Sequence, residues 1–144
     1  MGDWILELPR VSADVVFLPP ASAEVIADAE GAVGQLPDDL KKVLARTNGL
    51  SARSFRLLSA FDPRQPKKTW ESLQRANDPE KTEALGADRE LLRRFLVFAD
   101  IGNGVAVWDR TRGSIWFEEK GDDKLRETDL SVREFIETMV KNAE

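Results

Sequence analysis

Three short apolar runs lie close together in the second half of the chain, separated by two glycine-bearing breaks. The runs are Phe95–Ala99, Val105–Trp108 and Ile115–Phe117. The breaks are Gly102-Asn103-Gly104 and Arg110–Gly113, and glycine and asparagine tolerate the positive φ angles at which a chain reverses. This pattern is typical of antiparallel strands. We predict an α+β fold in which a mostly antiparallel sheet, with a meander at about 95–118, packs against several helices.

The length of the second break predicts how its two flanking strands pair. A four-residue loop places Asp109 opposite Ser114 and Val107 opposite Trp116. One face is then wholly apolar and should meet the helices; it carries Ala106, Trp108, Ile115 and Phe117. The opposite face is mixed, and we expect it to be partly in water. Its members are Val105, Val107, Asp109, Ser114, Trp116 and Glu118.

Apolar residues at helical spacing predict three longer helices. The first runs from Ser22 to about Val33 and can end at Gly34. The second spans Leu36–Asn48, with Pro37 at its first position. The third runs to about Asn142 and opens with a capping box, in which Ser131 and Glu134 satisfy each other's free backbone amides.

The remaining segments have weaker patterns. Trp4–Leu8 and Val15–Leu18 are apolar runs stopped by prolines, so residues 1–20 form an arm of edge strands or packed coil. Phe55–Phe61 is predicted to be a strand. Thr69 can cap a short helix that ends at Asn77, with Trp70 packed inside, as for Trp4. The charged stretch Asp78–Arg94 is the segment we expect to vary, move or contact a partner.

Composition excludes several kinds of chemistry. The 144 residues, which we predict to form one domain, contain no histidine and no cysteine. Zinc sites of the His/Cys kind, Ser-His-Asp triads, histidine bases and disulfides are therefore excluded. We predict no catalytic residues, no cofactor and no metal, and hence a protein that is not an enzyme.

The net charge and the hydropathy of the chain restrict the cellular location and the classes of partner that we expect. The net charge of −5 argues against a nucleic-acid partner. The N-terminal residues lack the basic and apolar regions of a signal peptide, and no apolar run reaches the roughly 20 residues that span a bilayer. We expect a soluble cytoplasmic protein that contacts no membrane.

Three groups of residues, in this order and spacing, resemble the SUKH superfamily, specifically its Smi/Knr-type members. The first is Leu36–Leu40 followed by Thr47-Asn48-Gly49, after the helix from Ser22. The second is the strand from Phe95, with Gly102-Asn103-Gly104 leading to Trp108-Asp109. The third is Ile115-Trp116, a turn, and the helix opened by Leu130-Ser131. The resemblance covers about residues 20–142; the arm and the stretch 78–94 depart from it.

The resemblance implies an α+β fold and a binding function. Bacterial members of the family are commonly immunity proteins that bind and neutralise a cognate toxin, often a nuclease or a deaminase. Fungal relatives act in cell-wall assembly signalling, so a regulatory or scaffold protein is the alternative. The family has no shared catalytic residues. The expected partner is a protein, most plausibly a basic toxin domain.

Acidic residues around one turn are the predicted contact surface. Glu118, Glu119, Asp122 and Asp123 can mimic phosphates before a basic cleft, or simply form a solvated turn. Trp116 beside them is a candidate anchor or a core residue. Asp109 completes the predicted set, although it can also bond the amides of its own turn, and its pairing with Asp100 for glycoside hydrolysis has no other support.

Oligomeric state depends on the mixed face of the meander. If Val105, Val107 and Trp116 are exposed together, they would allow a weak homodimer; otherwise we expect a monomer.

Overall fold

A computed structural model describes residues 3–119 and 124–142 of the chain. In this part, seven strands form one sheet in chain order, and every neighbouring pair is antiparallel. The strands are β1 (Val15–Phe17), β2 (Leu50–Ala52), β3 (Phe55–Leu57), β4 (Phe95–Asp100), β5 (Gly104–Asp109), β6 (Ser114–Glu119) and β7 (Leu125–Glu127). The predicted α+β class and antiparallel meander are confirmed, and the three predicted strands are the central β4–β6 of a larger sheet.

The predicted register of β5 and β6 is confirmed. Asp109 pairs with Ser114, and Val107 pairs with Trp116. The pairing continues to Gly104 opposite Glu119, where the two strands approach so closely that a Cβ atom on Gly104 would clash with the backbone of Glu118 and Glu119. A side chain is therefore excluded at Gly104 by the neighbouring strand itself.

Six α-helices accompany the sheet in the described residues. They are α1 (Trp4–Glu7), α2 (Ala23–Val33), α3 (Asp38–Arg46), α4 (Leu73–Ala76), α5 (Arg89–Arg94) and α6 (Val132–Asn142). Short 3-10 turns occupy Leu8–Arg10 and Ala84–Ala87.

Helices α2 and α6 have the capping residues that the sequence predicts. The Ser22 side chain caps α2 by accepting from the Val25 amide, and Gly34 ends that helix with φ +91°. The capping box of α6 forms with two hydrogen bonds of 3.1 Å. Helix α3 is shorter than predicted, because Pro37 precedes it as the cap residue and Thr47 has already left the helical conformation.

The apolar face of the meander meets α6, as predicted. The ring of Phe135 lies 5.2 Å from that of Phe98 on β4, 5.7 Å from Phe55 on β3 and 5.8 Å from Phe117 on β6, measured between centroids. The contacts with Phe98 and Phe55 are edge-to-face, an arrangement that adds about 0.5–1.5 kcal/mol each to the burial of the rings. This cluster fixes the helix on the sheet.

The mixed face is more covered than predicted. Val107 and Asp109 are completely buried, and the backbone amide of Leu85 donates to the Glu118 carboxylate over this face. The stretch 78–94, expected to be a variable surface segment, supplies part of the cover, with Leu85 and Leu92 buried. The open apolar face that would favour a homodimer is therefore not formed, because Val107 lies inside.

The N-terminal arm is packed and contains two short helical turns and one edge strand. Trp4–Leu8 belongs to α1 and the turn that follows, so an edge strand there is wrong, whereas Val15–Phe17 does form the edge strand β1. Ile5 and Leu8 are buried, and Asp3 forms an ion pair with Arg46 of α3. The arm is thereby joined to the helical layer.

Two asparagine carboxamides replace missing strand partners. Asn48 accepts from the Ala60 amide and donates to the Ala60 carbonyl, both at 2.8 Å. Asn77 makes the same pair of bonds with Val97 of β4, also at 2.8 Å. Each side chain therefore satisfies both backbone groups of a residue that the adjacent strand does not reach.

The region between β3 and α4 differs from its prediction. The strand predicted over Phe55–Phe61 ends at Leu57, and β2 was not predicted. Helix α4 is capped by Ser72 and not by Thr69. The hydroxyl of Thr69 instead accepts from the Asp62 amide and donates to the Gln65 carbonyl within its own loop. Trp70 is not packed inside, because 55% of its surface is exposed.

Candidate functional site

The predicted contact residues do not form one surface. Glu118 and Glu119 line a cleft at the end of β6. Asp109 lies at the opposite end of the β5–β6 pair, and Trp116 lies between the two ends. Asp122 and Asp123 lie outside the described residues. Glu118 and Glu119 are therefore the predicted residues that the structure places together, and the candidate site is the cleft that they line.

A cleft of about 510 Å³ separates the ends of β4–β6 from the chain between Glu71 and Gly86, and we call it the acidic cleft. Its floor includes Val97 and Val105 of the mixed face. Five carboxylates line it, contributed by Glu71, Glu83, Asp100, Glu118 and Glu119. Four separate elements of the fold thus converge on one acidic surface.

The negative charge of the acidic cleft is weakly compensated. Its two cations are Arg75, whose guanidinium lies 4.6 Å from the centre of the Trp70 ring, and Lys81, which pairs with Asp78 at 3.9 Å. In the part of the chain that the structure describes, none of the five lining carboxylates is in an ion pair. A concave surface with an excess of negative charge focuses the field and attracts cations.

One wall of the acidic cleft has an unusual backbone. Leu85, Gly86 and Ala87 have φ angles of +55°, +63° and +55°. Such values cost a residue with a side chain on the order of 1–3 kcal/mol, and they persist only where surrounding contacts hold them. The contact here is the hydrogen bond of 3.0 Å from the Leu85 amide to Glu118 Oε1, together with the burial of Leu85. Glu118 therefore supports the wall, whereas the Glu119 side chain has no hydrogen bond or ion pair with the described residues and lines the cleft.

Asp109 has a structural role and cannot touch a partner, because its side chain is completely buried. It accepts from Arg94 Nη2 at 3.0 Å and from the amides of Thr111 and Arg112. Burial by itself would raise the pKa of Asp109, but the bonds from Arg94 and the two amides hold the pKa below its ordinary value. The interpretation of Asp109 as a turn residue is confirmed.

Two tryptophans differ in their availability to a partner. Trp116 is half-buried: its ring packs edge-on against Phe95 at 5.6 Å, and its indole N–H donates to Ser114 Oγ. Trp70 is mostly exposed and lines a neighbouring pocket that shares Arg75 with the acidic cleft, and the Arg75 guanidinium stacks on its ring. Sequence reasoning missed Trp70, because its apolar spacing with Leu73 and Ala76 resembled a helix stripe.

The described residues were also compared with the requirements of a metal site and of a membrane-spanning helix. In residues 3–119 and 124–142, no group of three or more carboxylates is close enough to hold a metal ion. Over the same ranges, no helix combines the length and the apolar character needed to cross a membrane.

Comparison with known proteins assigns the family. No curated protein matches the chain. A sequence model of the SMI1 / KNR4 family (SUKH-1) matches residues 20–138, which include helices α2–α5, strands β2–β7 and most of α6. The packed arm with α1 and β1 lies before the matched region. The chain belongs to the SMI1 / KNR4 family (SUKH-1).

Proposed function

We propose that this protein is a non-catalytic binding module of the cytoplasm, an immunity protein that neutralises a toxin by engaging the toxin's basic active cleft. Family membership supports a binding role of this type. The observation that carries the proposal is the acidic cleft, where five carboxylates converge without an ion pair among the described residues. Toxins that act on nucleic acid need cationic clefts, because phosphate contacts dominate nucleic-acid affinity.

The acidic cleft would supply the fast, charge-steered part of recognition. Uncompensated charge of one sign raises association rates by roughly 10–10³-fold toward a partner of opposite charge. Glu71, Glu83 and Glu119 are suited to this role because none of their carboxylates has a hydrogen bond or ion pair with the described residues to give up. Glu118 is less suited, because its carboxylate already holds the Leu85 amide.

Trp70 would supply the apolar anchor. Tryptophan and arginine are the residues most enriched at interface hot spots, and a hot spot costs 2 kcal/mol or more when truncated. In this protein the two occur together, with the Arg75 guanidinium 4.6 Å from the ring centre. Because the stacking holds the exposed ring in place, a partner would lose little side-chain entropy by covering it.

Co-expression with the product of the adjacent gene tests the proposal. If that product is a toxin, we expect host survival and co-purification of a stable complex. The test variant is Glu71→Gln with Glu83→Gln and Glu119→Gln, which removes three cleft charges and no side-chain hydrogen bond among the described residues. The matched control, Glu7→Gln with Asp28→Asn and Asp129→Asn, removes three exposed charges elsewhere.

The outcomes separate this proposal from its alternative. Rescue by the native protein and the control, with weaker rescue by the cleft variant, supports the immunity role. A toxic neighbour that is neither bound nor neutralised contradicts it. A complex with a non-toxic product of a cell-envelope operon favours instead a regulatory or scaffold protein.

A further inference from the structure

A second cleft, of about 350 Å³, lies between the C-terminal end of α2 and helix α5, and we call it the arginine cleft. Its charged lining residues are Arg89, Arg93 and Arg110, and no carboxylate lines it in the described part of the chain. Ala32, Val33, Pro79 and Leu92 provide its apolar walls. It shares no lining residue with the acidic cleft, and its volume is near the lower limit of about 300 Å³ for small-ligand sites.

Among the described residues, Arg110 is held in this cleft without a carboxylate. Its two terminal nitrogens donate to the carbonyls of Val33, the last residue of α2, and of Gln35, two residues farther on. Burial lowers the pKa of its guanidinium, and its Nε atom is buried without an acceptor among the described residues. Gly34 permits this position, because a Cβ there would lie 2.8 Å from Arg110 Nη1. A partly buried cation without a counter-charge is unfavourable, and a bound anion would offset that cost.

Arg89 and Arg93 add to the same uncompensated charge. They are one helical turn apart on α5, where like charges destabilise a helix by about 0.2–0.5 kcal/mol. Both are exposed, and neither is in an ion pair with a described residue. The next residue, Arg94, contrasts with them, because it is paired with Asp109. Three guanidinium groups thus surround one cleft, and no carboxylate of the described residues neutralises any of them.

We propose that the arginine cleft binds a multiply charged oxyanion of the phosphate class. Guanidinium groups match phosphate oxygens with paired N–H donors, and they remain charged at every physiological pH. Arg110 is fixed by the backbone at one side, and Arg89 and Arg93 are free to close from the other. The proposal is independent of the toxin-binding role of the acidic cleft.

Titration of the full-length protein with inorganic pyrophosphate tests this proposal. Calorimetry at constant ionic strength measures the affinity, and ¹⁵N spectra of the arginine Nε–H groups report the site. The test variant is Arg89→Gln with Arg93→Gln, which removes two exposed charges and no side-chain hydrogen bond to another described residue. The control, Arg64→Gln with Lys68→Gln, removes two exposed charges outside the cleft.

The expected result is saturable binding of one pyrophosphate per chain, with a shift of the Arg110 Nε–H resonance. Affinity should fall at least tenfold in the Arg89/Arg93 variant and less than twofold in the control, with thermal stability unchanged in both. Absence of saturable binding overturns the proposal. An equal loss in both variants also overturns it, because it would mean adventitious binding that follows net charge only.

Discussion

Replacing Asn77 with alanine should destabilise the protein through β4, a strand 20 residues farther along the chain. Strand β3 pairs with β4 only at Ala99 and Asp100, and one further bond joins Leu58 to Phe98. At Val97 the side chain of Asn77 takes over, accepting from the amide and donating to the carbonyl. The same carboxamide also donates to the Leu73 carbonyl of α4, so it joins helix to sheet.

The size of the effect follows from what the Asn77→Ala variant leaves unpaired. Val97 is 1% exposed, and each of its two backbone groups would cost about 1–3 kcal/mol if left without a partner. The sum is roughly 2–6 kcal/mol. Asn77 itself is only half-buried, so water can partly fill the gap, and we expect about 2–4 kcal/mol. Single domains are stable by about 5–15 kcal/mol, so the loss is large.

Urea denaturation followed by tryptophan fluorescence measures this loss. Asn103→Ala is the matched control, because Asn103 is exposed and its side chain has no recorded hydrogen bond with the described residues. It should change the free energy of unfolding by less than about 0.5 kcal/mol. A loss below about 1 kcal/mol in Asn77→Ala, with the Val97 amide still protected from hydrogen exchange, would refute the reasoning.

Three further predictions concern separate features. Gly104→Ala should lower the free energy of unfolding by about 1–3 kcal/mol, because its Cβ would clash with the β6 backbone. Gly31→Ala, which has open space around it in α2, should raise the free energy of unfolding by about 0.5–1 kcal/mol, and thermal melting of both variants checks this pair. Asp109→Asn should cost about 1–3 kcal/mol at pH 7. Because the folded-state pKa of Asp109 is lowered, its contribution is complete above the ordinary value of 3.8 and lost as pH falls through the folded pKa. The variant should therefore lose less stability on acidification than the native protein; an unchanged slope in acid titration would contradict this. Trp70→Ala should leave the melting temperature within about 2 °C, since the ring is exposed, yet weaken partner binding about thirtyfold in calorimetry; unchanged binding would remove Trp70 from the interface.

Features encoded by near neighbours in sequence could be predicted. The stripe of α2, its Ser22 cap and the Gly34 stop lie within one short window, as does the capping box of α6. The register of β5 and β6 was also predictable, because a four-residue loop leaves little freedom in pairing. In each case, hydrogen bonds between residues a few positions apart decide the structure.

Features that depend on distant partners could not be predicted. Strand β2 has three residues, too few to show an alternation, and it exists because β1 and β3 pair with it. The bonds of Asn77 to Val97 leave no local signature. The burial of Asp109 was not predictable locally, because its carboxylate is neutralised by Arg94, the residue before β4, 15 positions away in the sequence.

The candidate site was only partly visible in the sequence for the same reason. Glu118 and Glu119 could be identified as candidates because they are adjacent, and the stretch 78–94 could be identified because of its many charged residues. Their convergence with Glu71 and Asp100 depends on how the chain from 71 to 86 crosses the sheet, which periodicity does not specify. The exposure of Trp70 depends on the same crossing.

The most direct test of the central claim is the association rate of the protein with its adjacent-gene toxin, measured by stopped flow across a range of salt concentrations. At low salt, neutralising Glu71, Glu83 and Glu119 should slow association at least tenfold and flatten its salt dependence, because steering by the acidic cleft is lost. The triple control at Glu7, Asp28 and Asp129 should stay within about twofold of the native rate. Equal rates and equal salt slopes for the two triple variants would contradict the claim that the acidic cleft meets the toxin.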